Sequence, residues 1–306
     1  MLGRIIEISD PLCSLSLFRG FVLVKKEGLE ISRIAIADIA ILILNPSGSL
    51  ITTNLLNALL ENGIMVLVLG KNYIPSGIFY PTNPHHLHKH KIDLQISASR
   101  PLEKRLWQKI VQAKILNQAT ILSYFTSDEE KQLKNLASKV SSGDKENLEA
   151  QAAKKYWRRL FGNDFRRNFN EIGVNSALNY GYAILRSAMA RAIFASGLQP
   201  AIAIHHKNKG NAFCLVDDLM EPFRPIVDYV VKRIFENEDY DKEQELTPQI
   251  KKKLSLILTI DLSSKYGTTP IMNCLQHLAF SFVKSLENKE NLLELPNSPL
   301  PIELEF

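Results

Sequence analysis

Three short stretches of this chain carry residue types that could perform metal chemistry. The first is Asn147-Leu148-Glu149-Ala150-Gln151-Ala152-Ala153-Lys154-Lys155-Tyr156-Trp157. Read as a helix, it puts Glu149 on one face with Ala152, Ala153 and Tyr156, and small residues beside a carboxylate let another element come close. The second is His205-His206, which closes the apolar run 201–204 and opens a basic loop, Lys207-Asn208-Lys209-Gly210. Neutral imidazole is a common metal ligand. The third is Asp217-Asp218-Leu219-Met220-Glu221-Pro222-Phe223-Arg224-Pro225. On a helical turn Glu221 shares a side with either Asp217 or Asp218, and close carboxylates repel unless a cation lies between them. Each stretch also has a plainer reading. Glu149 fits an exposed helical glutamate, a histidine can end a buried segment, and Asp217 or Asp218 can cap a helix. Capping leaves Glu221 unexplained.

Two glutamates and one histidine make an oxygen-rich set that suits Mg²⁺ or Mn²⁺ better than a structural zinc. Such an ion beside basic side chains is what phosphodiester chemistry requires, because it polarises a phosphoryl oxygen and stabilises the charge that develops there. The residues alone lead to metal-dependent phosphoryl transfer as one reading. Nothing in their spacing shows that the three stretches meet in space.

The distribution of charge points the same way. The formal net charge is +5 and the pI about 8.9. Residues 1–90 carry seven Lys/Arg against six Asp/Glu, whereas residues 145–210 carry eleven against four. A basic excess gathered in one segment is the footprint of a phosphate-binding surface, with a solvated helical face as the alternative. Within it Lys154 with Arg158, and Lys155 with Arg159, are like charges four apart, a spacing that repels unless an anion offsets it. Cys13, Cys214 and Cys274 show no CxxC spacing, which suits a reducing compartment and argues against a zinc finger or disulfide scaffold. No signal peptide is visible, and the longest apolar runs, such as 34–44 interrupted by Asp38, are too short to span a bilayer. A soluble cytoplasmic protein is expected.

The elements that must position these residues fall into two groups. Short β-rich runs at 5–9, 21–24, 34–44 and 65–69 are separated by turn signals such as Glu27-Gly28 and Asn45-Pro46-Ser47-Gly48. One helix interrupts them, capped by Thr52 or Thr53, striped by Leu55, Leu56, Leu59 and Leu60, and stopped by Asn62-Gly63. This predicts an N-terminal, sandwich-like β-sheet domain over residues 1–80. Residues 81–91 hold two prolines and four histidines, His85, His86, His88 and His90. Irregular spacing and the absence of nearby carboxylates favour a surface linker, one that could touch DNA, over a metal site; it is set at 81–100. Helical periodicity then marks segments near 102–125, 146–161, 178–193, 223–236 and 247–259, with an irregular tail over 296–306. This predicts an all-α domain over 101–306 that carries the metal site, and an α+β protein.

At these residues the chain resembles the CRISPR-associated adaptation endonuclease family, the integrases that insert new spacers in this antiviral defence, and most closely the type II branch. The segments that carry the resemblance are Lys114-Ile115-Leu116-Asn117-Gln118, Leu160-Phe161-Gly162-Asn163-Asp164-Phe165, Asn179-Tyr180-Gly181-Tyr182, His206-Lys207-Asn208, Asn211-Ala212-Phe213 and the acidic stretch 217–225. They follow the family's order from about residue 3 to about residue 285. The resemblance implies that Glu149, one histidine and Glu221 hold the metal and that the N-terminal domain dimerises. The family's ligand histidine falls at the tenth position counted from a Gly-Leu-x-Pro segment, here Gly197, and fifteen residues before the last carboxylate. Both counts select His206, with His205 and Asp218 as auxiliary residues. Ala203 stands where the family often has glycine.

The resemblance further implies two transesterifications that join 3′-hydroxyl ends of short double-stranded DNA to a CRISPR repeat. Lys154, Lys155, Arg158, Arg159, Arg166, Arg167, Lys207 and Lys209 are expected to contact the DNA backbone. Implied partners are a second copy of the chain, a small ferredoxin-like adaptation protein, and, in type II systems, the effector nuclease and a DNA-end-binding protein. Two other classes compete: a non-catalytic DNA-binding scaffold, which should lack a ligand, and a general metal-dependent nuclease that cuts without joining.

Overall fold

The computed structural model describes residues 4–8, 10, 12–45, 48–70, 73, 75–81, 87–126, 130–206, 208–236, 246–296 and 298–299. The chain divides into two compact units, Met1–Pro84 and His85–Phe306.

The first unit contains two four-stranded sheets and one helix. Strands β1 (Arg4–Ile8), β5 (Ile39–Leu44), β7 (Met65–Leu69) and β8 (Pro75–Phe79) form one sheet in that order, parallel except for β8. The other has the order β4 (Leu29–Ala35), β3 (Phe21–Lys26), β2 (Cys13–Phe18) and β6 (Leu50–Ile51). Strand β5 is buried from Ile39 through Ile43, and its unbroken apolar run is what a strand covered on both faces requires. Arg19-Gly20 and Glu27-Gly28 lie at positive φ in both residues, the conformation two-residue hairpin turns need. Helix α1 (Thr53–Glu61) starts at Thr52, whose side chain accepts from the Leu55 backbone N–H. Its Leu55 and Leu59 pack with Leu15, Val22 and Val24 of one sheet and Leu42 and Val66 of the other in a single core. The sandwich-like expectation describes this arrangement. The expectation of one strand over 34–44 does not. The chain breaks in a 3₁₀ turn at Ile36–Asp38, and its two parts enter different sheets.

The second unit is mainly helical. Helix α2 (His88–Ile96) lies within the segment expected to be a linker. Its buried Gln95 bonds to the backbone of Gln199 and Ile202, Lys91 pairs with Glu287 at 2.5 Å, and His88 Nδ1 lies 2.9 Å from the Gly197 carbonyl. The prolines that argued against regular structure lie upstream of its first turn. Then follow α3 (Arg100–Ser123), α4 (Glu130–Lys139), α5 (Leu148–Phe161), α6 (Val174–Ala195), α7 (Cys214–Met220), a 3₁₀ turn Glu221–Phe223, α8 (Arg224–Glu236), α9 (Pro248–Ser255) and α10 (Ile271–Asn288). The unit is not wholly helical. Strands β9 (Asp261–Ser264), β10 (Gly267–Pro270) and β11 (Ser298–Pro299) form a small antiparallel sheet, and β11 lies in the tail expected to be irregular. Helix α6 is buried almost all round. At Gly181 a Cβ would meet Val227 Cγ1 of α8 at 2.5 Å, so glycine lets these two helices touch. No described helix is long and apolar enough to cross a membrane.

Candidate metal centre

The start of α5 fixes Glu149. Asp144 and Asn147 both adopt positive φ. The Asp144 carboxylate then accepts from the Leu148 and Glu149 backbone N–H groups at 2.9 and 3.0 Å. Two otherwise unpaired helix N–H groups are satisfied, and the carboxylate lies at the positive end of the helix. Ala152 and Tyr156 on the same face are fully buried, so the glutamate points from an anchored turn.

Glu221 begins the 3₁₀ turn at the end of α7. The Pro222 carbonyl accepts from the buried Asn117 side chain of α3 at 2.7 Å, which clamps the turn against that helix. One turn earlier on α3, Lys114 reaches both carboxylates. Its Nζ donates to Glu149 Oε1 at 2.5 Å and lies 2.5 Å from Glu221 Oε2, which brings those two oxygens within about 5 Å of each other. Arg224 Nε lies 3.0 Å from the other oxygen of Glu221. The buried Glu221 Oε2 is ion-paired but lacks an aligned hydrogen bond. Burial pushes the Glu221 carboxyl up, but Arg224 and Lys114 outweigh it and hold it below the ordinary glutamate value. Burial likewise opposes the charge on Lys114, and the two carboxylates overcome it, raising the ammonium above the usual lysine value.

The histidine loop is strapped to α7 by one carboxylate. Asp218 is wholly buried. It accepts from the backbone N–H groups of Ile204, His205 and His206 at 2.8, 2.8 and 3.2 Å, and its Oδ1 lies 2.5 Å from His206 Nδ1. This bond raises the His206 pKa, against burial, with Glu221 and Glu149 adding smaller pulls in the same direction. Trp107 supports both rings: His205 stacks flat on it at 4.2 Å, and His206 meets it edge-on at 5.5 Å. Asp217 turns away to Arg186, which donates to it from two nitrogens at 2.7 and 3.0 Å. The two aspartates that the sequence left as alternatives thus have separate tasks.

Among the described residues no three His, Cys, Asp or Glu side chains converge closely enough to hold a metal ion; the cation between the carboxylates is the Lys114 ammonium. The donor set nevertheless fits a hard divalent metal. It has two carboxylates from separate elements, one with a buried oxygen lacking a hydrogen bond, and an imidazole whose Nδ1 is oriented by a buried carboxylate, the usual support for a ligand histidine.

The family described as "CRISPR associated protein Cas1" matches residues 7–259. The chain belongs to this family. The CRISPR-associated endonuclease Cas1 of Neisseria meningitidis serogroup C (strain 8013) is 39% identical over 284 residues, 92% of each chain. Among solved structures, a casposase bound to integration product superposes with a TM-score of 0.80 at 19% identity, covering 99% of this chain and 95% of that one. A chain of a Cas6-RT-Cas1–Cas2 complex gives 0.78 at 17% identity, covering 94% of this chain and 35% of that one. These structural likenesses show a shared fold.

The residues expected to contact DNA sort by exposure in this Cas1-family chain. Lys154, Lys155, Arg158 and Arg159 are exposed on one stretch of α5, and Lys209 is exposed as well. Arg166 is exposed but donates to the Asn163 and Phe165 carbonyls. Arg167 turns inward, donating to Asn175 and Asn179 at 2.9 and 2.6 Å and lying over the Phe169 ring at 4.5 Å, which leaves it only partly exposed. Lys207, His85 and His86 lie outside the described residues; His90 is exposed. Sequence reasoning gave no role to Lys114, Asn117, Asp144, Trp107 or Arg224. Lys114, Asn117 and Arg224 stand inside segments that carried the family resemblance, which was the available signal. Asp144 and Trp107 had none.

Proposed function

We propose that this chain is a metal-dependent DNA endonuclease and integrase of CRISPR adaptation. The observation that carries the reading is the meeting of Glu149 and Glu221 at one cation, beside a histidine held by Asp218. Glu149, Glu221 and His206 would hold Mg²⁺ or Mn²⁺. An ion bound there would supply positive charge to polarise a phosphoryl oxygen and to ease departure of the leaving oxygen. In the proposed reaction a 3′-hydroxyl of a short duplex attacks a phosphodiester at the edge of a CRISPR repeat. A new phosphorus–oxygen bond forms as the old one breaks. The chain's own residues set up that step. Asp144 fixes the backbone of Glu149, Asn117 and Arg224 fix Glu221, and Asp218 aims His206 and keeps its Nδ1 engaged. The exposed cations of α5, with Lys209, would hold the DNA backbone without reading sequence.

Membership of the Cas1 family and the fold shared with a Cas1–Cas2 assembly support a small partner protein of the same system. A homodimer would supply two active sites for two points of insertion. The type II effector nuclease and an end-binding protein stay as partners implied by the resemblance. Three free, buried cysteines suit a cytoplasmic setting. The test is strand transfer of a labelled duplex into a supercoiled plasmid bearing the repeat, with the small partner present. Joining should require Mg²⁺ or Mn²⁺, stop with EDTA, be lost in His206→Ala and persist in His205→Ala. Cutting without joining, with the partner shown to bind, would favour a general nuclease instead. No metal-dependent reaction while DNA is still bound would favour the scaffold.

A further inference from the structure

The Lys114 ammonium touches both proposed ligand carboxylates, yet the proposed reaction gives it no task. We propose that Lys114 is the resident counter-cation of this carboxylate pair: it holds Glu149 and Glu221 together in the metal-free protein and competes directly with a divalent metal for them. The inference rests on the reading of these two residues as ligands.

Position supports it first. Lys114 projects from the long helix α3, and only 12% of its side chain is exposed. Asn117, one turn further on, clamps α3 to the turn that carries Glu221, so lysine and glutamate are held in register by the backbone. Space supports it next. The ammonium lies 2.5 Å from an oxygen of each carboxylate. A magnesium ion binds carboxylate oxygen at about 2.0–2.1 Å, so the two cations cannot share the gap. The remaining partners complete the argument. Asp144 anchors the backbone of Glu149 and Arg224 holds the second oxygen of Glu221, so the Glu149 backbone and the Glu221 carboxylate stay anchored when the lysine withdraws. Lysine is suited to such an exchange, being a compact point charge on a flexible stem, whereas a guanidinium would grip with a rigid fork. Metal binding is then an exchange of cations, and part of the metal's affinity is spent displacing an internal competitor.

The test is a Mn²⁺ titration of the full chain, stripped with EDTA and freed of chelator, with the free ion followed by electron paramagnetic resonance. Wild type is compared with Lys114→Met and Lys114→Gln. Both variants should melt at lower temperature than wild type without metal, because only Arg224 then offsets the two carboxylates. Both should bind Mn²⁺ about tenfold or more tightly than wild type. Lys114→Arg retains a cation and should bind Mn²⁺ no more tightly than wild type. Unchanged or weaker Mn²⁺ binding by a folded neutral variant overturns the proposal, and so does tighter binding by Lys114→Arg. Glu221→Gln separates the two readings: if it leaves Mn²⁺ affinity unchanged, the ligand assignment fails and the competition falls with it; if it weakens Mn²⁺ binding while the neutral Lys114 variants do not tighten it, only the role of the lysine fails.

Discussion

At the scale of single residues, Asp218 shows how one buried carboxylate can organise a site without entering it. It collects three backbone N–H groups and the His206 ring, and it has no exposed surface. Asp218→Asn cannot accept all of these bonds, because one of its two side-chain groups is an amide donor. Strand transfer should fall about 10–100-fold, the usual cost of losing a ligand's orienting partner, with a lower melting temperature. Activity near wild type would mean that the loop holds His206 unaided. Asp144→Ala removes the anchor beneath Glu149 and should cost about 1 kcal/mol of stability, measured by denaturant unfolding. The proposed ligands Glu149, His206 and Glu221 were within reach of the sequence, because proposing them took only a count and a resemblance. The supports were not. Asp144 works through two positive-φ residues, and Trp107 lies roughly a hundred positions before the rings it carries. No local pattern encodes either contact.

At the scale of elements, Gly181 decides how closely α6 and α8 pack. Gly181→Ala drives a methyl group into Val227 and should destabilise the fold by about 1–3 kcal/mol, read as a lower unfolding midpoint. Between the same helices lies Asp228, buried, accepting from the Tyr182 hydroxyl, with Tyr156, Arg167 and Arg224 nearby. Burial pushes its pKa from 3.8 up to about 7, against the pull of these neighbours. A group raised in this way favours folding in its protonated form. It is fully favourable below its unfolded pKa, and that advantage is lost as pH climbs through about 7. Asp228→Asn should therefore gain stability relative to wild type by about 1.4 kcal/mol per pH unit between about pH 4 and 7. Parallel curves for the two proteins between about pH 4 and 7 would contradict the assignment. Periodicity made α3, α5, α6 and α8 legible within a few residues. It failed at residues 34–44, where one apolar run serves two sheets across a 3₁₀ turn. It failed again at α2, whose buried residues are Lys91, paired with Glu287, and Gln95, bonded to distant backbone.

For the molecule as a whole, the uneven charge makes a prediction that structure sharpens. The basic excess over residues 145–210 suggested a phosphate-binding surface, and exposure now divides that set. Lys154, Lys155, Arg158 and Arg159 face outward on α5, the helix whose first turn carries Glu149, whereas Arg167 is committed to Asn175, Asn179 and Phe169. Charge counts cannot separate these cases, because an inward arginine and an outward one contribute equally to the total. Salt dependence can. Each phosphate contact releases counterions and adds about 0.9 to the slope of log affinity against log salt. A Lys154→Ala, Arg158→Ala double variant should therefore bind duplex DNA more weakly at low salt and show a slope smaller by about 1–2. Its melting temperature should hold or rise, because a like-charge pair on one helix face has been removed. Arg167→Ala should do the reverse, lowering the melting temperature and leaving the salt slope of the folded protein unchanged. If the double variant kept its slope while Arg167→Ala lost it, the DNA would have to approach the helical unit from the side of Arg167, and the face of α5 would be a solvated surface.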